Sequence, residues 1–206
     1  MNSAKQNLLA IVGSPRKGKA TDTLVEKAIE GAQSRAPNCN VKKLRLTDYD
    51  IRYCTNCLAC RDSQTPEPFA KCTIRDDMDH IRKDVFDSDL LIFGTPVHMG
   101  YATAVMMTFL ERICWTFAQP QGKFLNVTGC PVPRSNKTRR AVIIITSGII
   151  PPVFRRFCDN AAPLIKQTAK DSLNATTIGD LYAGDIEHRG VEYYFDKAFN
   201  LGKKLL

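Results

Sequence analysis

The stretch "GSPRKGKAT", residues 13–21, follows an apolar run at residues 8–12 and precedes apolar residues at helical spacing. A loop between a buried strand and a helix presents backbone amides and the positive end of the helix dipole to an anion. The hydroxyls of Ser14 and Thr21 and the two-pronged guanidinium of Arg16 add further donors. The loop is therefore predicted to bind a phosphate, and a plain turn between strand and helix is the alternative.

The same loop comes close to the P-loop of nucleotide-binding proteins, in which Gly, four residues, Gly and Lys precede a Ser or Thr. Gly13, Gly18 and Lys19 fit that spacing, but Ala20 replaces the residue whose hydroxyl would hold magnesium. The magnesium-binding aspartate of such proteins follows an apolar strand, whereas Asp89 precedes one. A magnesium-dependent ATPase is therefore the weaker interpretation, and a phosphate bound without magnesium is the stronger.

Five apolar runs bounded by Gly, Pro or polar residues predict strands, and four of them are continuous, as in a parallel sheet buried on both faces. The predicted strands are residues 8–12, 41–46, 90–93, 142–145 and 175–181. Amphipathic segments between and after them predict helices on both faces, joined by right-handed crossovers. These segments are residues 24–32, 105–117, 154–173 and 192–206.

Ligands of open parallel sheets bind beyond the carboxyl ends of the strands. Three loops occupy such positions in the predicted order of elements: residues 13–21, 94–101 and 146–152. Thr23 followed by Glu26 also predicts a capping box at the start of the first helix.

A chain of 206 residues is long enough for one α/β domain but short for two. We therefore predict a single domain over residues 1–206. Two segments interrupt the alternation of strands and helices: residues 52–76, which carry a group of cysteines, and residues 118–139, which are rich in Pro, Gly and polar residues. The first is interpreted as an insertion and the second as a structureless flap over the site or a dimer contact.

The chain carries 29 Lys and Arg against 21 Asp and Glu, a net charge of +8, which can favour nucleic acid, an anionic cofactor or an acidic partner. Its basic residues are scattered and are not interleaved with aromatic residues, so no nucleic-acid partner is predicted. The apolar stretch at residues 8–13 is too short for a signal-peptide core or a bilayer span. The expected location is the cytoplasm, with no membrane partner.

Three stretches together resemble the NADPH-dependent FMN reductase branch of the flavodoxin-like flavoproteins, over roughly residues 7–148. They are "GSPRKGKAT" at 13–21, "SDLLIFGTPVHMGYATAVMMTFLERI" at 88–113 and "ITSG" at 145–148. The resemblance implies an α/β fold with an open, parallel, flavodoxin-like five-stranded sheet in the order 2-1-3-4-5, helices on both faces and FMN at its carboxyl edge. The chain departs from the usual family residues at Ala20, His98 and Met107.

The resemblance also implies that the first loop binds the FMN phosphate, that residues 95–100 line the isoalloxazine ring and that residues 146–148 reach its pyrimidine end. The loop "GTPVHMG", residues 94–100, can hold backbone amides rigidly near ring N5 and O4, where hydride arrives and charge changes. His98 as an ordinary loop histidine and Met99 as a core residue are the alternatives. No catalytic side chain is assigned; the predicted cofactor-binding residues are Ser14, Arg16, Lys19, Thr21, Thr23, Thr95, Pro96, Val97, His98, Met99, Gly100, Thr146, Ser147 and Gly148.

The chain has eight cysteines, which are not expected to form structural disulfides in a cytoplasmic protein because that compartment keeps thiols reduced. "CTNCLAC" places Cys54, Cys57 and Cys60 with two residues between neighbouring cysteines, and Cys72 follows after eleven further residues. Thiolates at such spacing can turn to a common centre, which predicts a [4Fe-4S] cluster with these four as ligands. Zinc, a thiol-disulfide pair and free thiols are the alternatives. The triple also resembles the motif of the iron-sulfur flavoproteins, a subgroup of the same family.

These observations predict an FMN-dependent oxidoreductase that passes electrons between a reduced donor, either ferredoxin or NAD(P)H, and an acceptor through FMN and the cluster. Flavin suits this role because it accepts two electrons as hydride and releases them one at a time. The first alternative is an NAD(P)H-dependent FMN or quinone reductase without a cluster. The second is a flavin-sensing or zinc-holding interaction protein without turnover. The family resemblance implies a homodimer or homotetramer.

Overall fold

The computed structural model describes residues 5–65, 68–125 and 127–206. In these residues the chain forms seven strands: β1 (Asn7–Val12), β2 (Asn40–Arg45), β3 (Leu90–Pro96), β4 (Ala118–Phe124), β5 (Val127–Pro133), β6 (Arg139–Thr146) and β7 (Ala175–Ala183). The α-helices are α1 (Ala20–Arg35), α2 (Met78–Asp87), α3 (Ala104–Phe117), α4 (Arg155–Cys158), α5 (Ala161–Leu173), α6 (Ile186–Arg189) and α7 (Phe195–Lys203). Single 3-10 turns lie at Leu46–Asp48, Pro152–Phe154 and Glu192–Tyr194.

Five of the strands form one parallel sheet in the order β2-β1-β3-β6-β7. Because β4 and β5 pair with each other outside this sheet, β6 and β7 are its fourth and fifth strands. The predicted flavodoxin-like order 2-1-3-4-5 is therefore confirmed. The central position of β1 and β3 brings the loops that follow them together at one edge.

The two faces of the sheet are both covered, which explains the continuous apolar runs. Successive strand residues point to opposite faces. Leu9 and Phe93 pack with the apolar sides of α2, α3 and α5, whereas Leu8 and Ile92 pack with α1 and α7. With water excluded from both faces, neither set of alternating positions needs polar side chains.

Three details of the sequence interpretation are wrong. Most of the described part of the predicted flap, residues 118–124 and 127–133, forms the antiparallel strand pair β4–β5. The alternation of apolar and polar residues that indicates a strand is not visible in the sequence here, because most residues of β4 and β5 are exposed or half-buried and register shifts occur around Gly122. The helix predicted over 154–173 is broken at Asp159, whose Oδ1 accepts the Ala162 amide at 3.0 Å and starts α5 anew.

The third difference concerns the start of α1, which begins at Ala20 with Lys19 as its N-cap. Thr23 therefore lies inside the helix, where its hydroxyl donates to the Gly18 carbonyl at 3.4 Å, and the predicted capping box does not form. In the last predicted helical segment, a 3-10 turn at Glu192–Tyr194 precedes α7. Among the described residues, no helix combines the length and apolar character required to cross a membrane.

Candidate functional site

Four loops enclose a cavity of about 420 Å³ at the carboxyl edge of the sheet. A cavity of this volume is large enough for a small-molecule ligand. It is lined by Arg16, Gly18, Lys19, Ala20, Thr23, Pro96, Val97, His98, Thr146, Ser147, Gly148, Ile186, Glu187 and Val191. A wider cleft of about 800 Å³ lies at the amino ends of the strands, the edge where parallel sheets do not ordinarily bind ligands.

The loop before α1 leaves donors open for an anion. Lys19 makes no side-chain capping hydrogen bond, so no side chain of this N-cap occupies the amides of the first helical turn. Gly18 has φ +66°, a conformation that glycine adopts without strain, and a Cβ there would have no atom within 4 Å. Backbone conformation, not lack of space, therefore favours glycine at this position. These features fit a phosphate that is held by amides and by the exposed Arg16.

Asp22, which the sequence interpretation did not single out, fixes the shape of this loop. Its carboxylate accepts the Gly18 amide at 2.7 Å and pairs with the Lys43 ammonium at 2.6 Å. Burial alone would raise the pKa of Asp22, but the hydrogen bonds from Lys43 and Gly18 hold it below its ordinary value. An acidic residue in the first turn of a helix is commonly interpreted only as stabilising the helix dipole. The contact between Asp22 and Lys43, which lies on β2, therefore had no signal in the local sequence.

Two predicted phosphate ligands lie behind the loop rather than on the cavity surface. The Ser14 hydroxyl is buried and accepts the Arg16 amide at 3.3 Å. The Thr21 hydroxyl is also buried and shares a hydrogen bond of 2.7 Å with the Thr146 hydroxyl. The second bond ties the start of α1 to the end of β6. Both hydroxyls therefore position the loops, and their contact with a cofactor stays a prediction.

The loop after β3 is joined to its neighbours by hydrogen bonds. The Val97 amide donates to the Thr146 carbonyl at 2.8 Å. Thr95 is fully buried, and its hydroxyl oxygen accepts the Thr103 amide at 3.3 Å. Thr103 caps α3 and donates its hydroxyl to the Gly13 carbonyl at 2.6 Å. The loop after β1 and the loop after β3 are thereby fixed relative to one another before any ligand binds.

Residues 98–101 form a tight turn at the rim of the cavity. His98 and Tyr101 exchange amide-to-carbonyl hydrogen bonds of 2.8 and 3.0 Å. Met99 and Gly100 between them have φ +50° and +85°, the positive values that a type I′ turn requires. Met99 is 99% exposed, so its interpretation as a core residue is wrong. Neither Met99 nor Gly100 lines the cavity, whereas the exposed His98 does.

The fourth side of the cavity comes from residues after β7, which sequence reasoning missed. The Ile186 amide donates to Ser147 at 3.2 Å, and the Glu187 amide donates to Gly148 at 2.9 Å. A Cβ at Gly148 would lie about 2.5 Å from the Glu187 carboxylate, so a larger residue there would require the Glu187 side chain to move. The signal was the polar, glycine-containing "AGDIEHRG", residues 183–190, directly after the last strand.

The predicted metal ligands lie together in segment 52–76 but do not enclose one centre. Cys54 and Cys57 are exposed, Cys60 is half-buried and Cys72 is buried. Burial raises the pKa of Cys60, and Cys72 adds to the rise, whereas a hydrogen bond of 3.2 Å between the Cys57 sulfur and the Thr73 hydroxyl lowers the pKa of Cys57. Within the described ranges, no group of three or more His, Cys, Asp or Glu side chains is arranged to hold a metal.

Two arginines anchor the cysteine segment. Arg112 on α3 binds the fully buried Asp76 carboxylate through both terminal nitrogens, at 2.6 and 2.9 Å. Burial would raise the pKa of Asp76, but the Arg112 guanidinium keeps it below its ordinary value. Arg134, just after β5, donates to the carbonyls of Cys60 at 2.8 Å and Ala118 at 2.9 Å. The segment is therefore tied to α3 and to the base of the hairpin.

The fold and the cavity together define a flavodoxin-like α/β protein with a cavity at the carboxyl edge of its sheet, beside the loop that precedes α1. Asp89 lies at the opposite end of β3, where it accepts the Asn7 amide and pairs with Lys137, away from that loop. Residues 6–143 match the family described as NADPH-dependent FMN reductase. The chain belongs to this family.

Individual relatives are similar over part of the sequence. An iron-sulfur flavoprotein of Archaeoglobus fulgidus is 31% identical over 105 residues, which cover 51% of this chain and 44% of that protein. One from Methanosarcina thermophila is 30% identical over 105 residues, 51% of each chain. The match thus spans about half the length of these curated relatives. The fold is also that of an azoreductase from Bacillus anthracis, with TM-score 0.68, 13% identity and coverage of 97% and 99% of the two chains.

Proposed function

We propose that residues 1–206 form a single FMN-binding domain that passes electrons between a reduced donor and an acceptor through FMN and a [4Fe-4S] cluster. The observation that carries the proposal is the convergence of the loops after β1, β3 and β6 around one cavity in a member of the FMN reductase family. FMN, when bound, accepts hydride and releases single electrons. The chain's own residues bind and orient it and exclude water.

In this proposal each loop holds a different part of FMN. The first-turn amides of α1 and the side chains of Arg16, Lys19 and Thr23 hold the phosphate, for which no magnesium ligand is needed. Backbone groups of Pro96–His98 lie along the isoalloxazine ring, and residues 146–148 bind its pyrimidine end. The remaining predicted contacts are Ser14, Thr21, Thr95, Met99 and Gly100, of which the first three support the loops from behind.

The proposed donor is NAD(P)H, with reduced ferredoxin as the second candidate. The NADPH in the family description supports the first, and the net charge of +8 suits either a phosphorylated dinucleotide or an acidic protein. We also propose that the chain works in the cytoplasm as a homodimer or homotetramer. The exposed apolar side chains of Met99, of Phe154 in a 3-10 turn and of Phe157 in α4 support self-association.

For the cluster, the proposed ligands are Cys54, Cys57, Cys60 and Cys72. Their sequence spacing and the similarity to iron-sulfur flavoproteins support this assignment. The surroundings of Cys72 also fit an anionic group, because two buried guanidinium groups lie within electrostatic reach of its sulfur. Clusters with four thiolate ligands carry net negative charge, which such groups stabilise.

The test is chemical analysis of protein isolated without oxygen. The expected composition is one FMN and about four irons and four sulfides per chain. NADPH or reduced ferredoxin should then bleach the visible flavin band, and an added acceptor should restore it. Protein that shows neither colour nor fluorescence quenching with excess FMN would refute the whole proposal, and flavin that never bleaches would indicate a protein without turnover.

A reductase without a cluster is the second candidate function. The observation that favours it is that the four cysteines do not enclose a metal position in the described part of the chain. It predicts yellow, iron-free protein that still oxidises NAD(P)H with FMN or a quinone. Iron and sulfide analysis of the anaerobic preparation therefore separates the two candidates directly.

A further inference from the structure

The segment after β7 brings a carboxylate to the cavity at the carboxyl edge of the sheet. Glu187, in the single turn α6, lines this cavity, and its Oε1 lies 2.5 Å from the position that a Cβ on Gly148 would occupy. The carboxylate therefore rests against the backbone of the loop after β6, where the lack of a side chain leaves room for it. Among the described residues that line the cavity, Glu187 is the one acidic residue.

The backbone that carries Glu187 is held by contacts on both sides. The buried Tyr194 hydroxyl donates to the Gly184 carbonyl at 2.7 Å, and the Glu187 amide donates to the Gly148 carbonyl at 2.9 Å. Asp185 has φ +59°, a left-handed conformation that is uncommon for residues other than glycine. The turn is thus built to one shape, and that shape directs Glu187 to the loop after β6.

The Glu187 carboxylate is left available to a ligand. The two basic residues that follow it, His188 and Arg189, bind Asp185 instead, at 2.6 and 3.2 Å. Within the described ranges, the Glu187 side chain forms no hydrogen bond or salt bridge. A ligand that fills the cavity displaces water from this carboxylate, which is unfavourable unless the ligand supplies a hydrogen-bond donor.

The charged side chains of the cavity lie at two ends. Arg16 and Lys19 line it beside α1, which follows β1, and Glu187 lines it beside the loop after β6. Because β3 separates β1 from β6 in the sheet, these ends are about two strand spacings apart, roughly 10 Å. The matching ligand is elongated, with an anionic group at one end and an N–H donor at the other. FMN has this polarity, with its phosphate at one end and the N3–H group of its pyrimidine ring at the other.

We propose that the Glu187 carboxylate accepts a hydrogen bond from the N3–H group of bound FMN, orients the ring in the cavity and lowers the reduction potential of the flavin. This inference rests on the proposed function. Hydrogen bonds to ring nitrogens and charges near the ring tune the electronics of a flavin. Reduced flavin carries its negative charge on N1, in the same ring as N3. A carboxylate at this end therefore stabilises the oxidised flavin relative to the reduced one.

The first test titrates apoprotein with FMN and with 3-methyl-FMN, which lacks the N3–H group, and follows the quenching of flavin fluorescence. In Glu187→Gln, which keeps the size of the side chain, the dissociation constant for oxidised FMN should rise about tenfold, because a charge-assisted hydrogen bond is lost. The constant for 3-methyl-FMN should change by less than about twofold. Glu192→Gln is the matched control, since Glu192 is exposed, approaches Gly190 in the same way and does not line the cavity. Both of its constants should equal those of the wild type.

The second test measures the midpoint potential of bound flavin by spectroscopic titration against a reference dye. The dissociation constant for reduced FMN should be nearly unchanged in Glu187→Gln, because loss of the hydrogen bond is offset by relief of the repulsion from N1. A tenfold rise for the oxidised form alone then moves the potential about 30 mV to the positive for two electrons. The Glu192→Gln potential should stay at the wild-type value.

The outcomes separate this inference from the proposed function. Wild-type protein that binds FMN, together with an unchanged dissociation constant or potential in Glu187→Gln, overturns the role of Glu187 and leaves the FMN site standing. Equal weakening of FMN and 3-methyl-FMN in that variant also overturns it, since the contact would then lie elsewhere on the ligand. Wild-type protein that binds both flavins equally well overturns it without any substitution. Wild-type protein that binds neither flavin overturns the proposed function itself.

Discussion

The cavity at the carboxyl edge and the cysteine segment are built in opposite ways. At the edge, backbone hydrogen bonds such as Val97 to Thr146 and Ser147 to Ala183, both 2.8 Å, hold the loops in place. Segment 52–76 contains no helix or strand in its described residues, and side chains anchor it to the body of the protein. The edge is therefore preformed, whereas the thiols of the cysteine segment are not brought around one metal position in the described residues.

The largest expected difference between the regions is in iron content. Cys57→Ser should reduce iron from about four per chain to below about one, because a missing ligand opens the cluster. FMN content should not change, since Cys57 is exposed and outside the cavity. Iron and flavin are measured together after anaerobic gel filtration, with Cys130→Ser in the hairpin as the control. Loss of FMN along with iron would show that the two regions are not independent.

The next largest effect should be on stability, through the anchor of the cysteine segment. Asp76→Ala leaves the Arg112 guanidinium buried without its carboxylate, which typically costs about 3–5 kcal/mol. Urea unfolding followed by circular dichroism measures the loss. The control is Asp84→Ala, whose more exposed pair with Lys42 at 2.6 Å should contribute no more than about 1 kcal/mol. Equal effects of the two substitutions would contradict the assignment of Asp76 as a buried anchor.

At the carboxyl edge, Arg16→Ala should weaken FMN binding roughly tenfold, because a hydrogen bond to a charged group contributes about 1.5–3 kcal/mol and Arg16 is exposed. Stability of the apoprotein should be nearly unchanged. Flavin fluorescence quenching gives the dissociation constant, and Arg35→Ala at the far end of α1 is the matched control. An unaltered dissociation constant would remove Arg16 from the phosphate site.

The smallest effect concerns the pH dependence of the loop that Asp22 stabilises. Its pKa in the folded protein is below the ordinary value of 3.8, so its contribution is present above that value and is lost as pH falls through the folded pKa. The stability difference between wild type and Asp22→Asn should thus be constant near neutral pH and shrink in acid. Asp48→Asn, at an exposed residue paired with Arg45, should show a smaller difference throughout. A stability difference between wild type and Asp22→Asn that grows as the pH falls would contradict the lowered pKa of Asp22.

The strands and three of the loops that face the cavity could be predicted because their signals are local, whereas the strand order was implied by the family resemblance. Continuous apolar runs such as Leu8–Val12 indicate burial on both faces, and the position of a loop after a strand fixes the sheet edge at which it lies. The hairpin β4–β5 was missed because a half-exposed strand containing Pro and Gly has no such run.

The amino-acid sequence by itself therefore determined the parallel sheet, the edge at which ligands bind and the cysteine motif, since each depends on spacing along the chain. Only the tertiary structure decided that Asp22 closes the first loop, that Glu187 approaches Gly148 and that Arg112 on α3 binds Asp76. These contacts join residues on different elements or depend on loop geometry. Spacing along the chain carries no information about such distances until the sheet has brought the elements together.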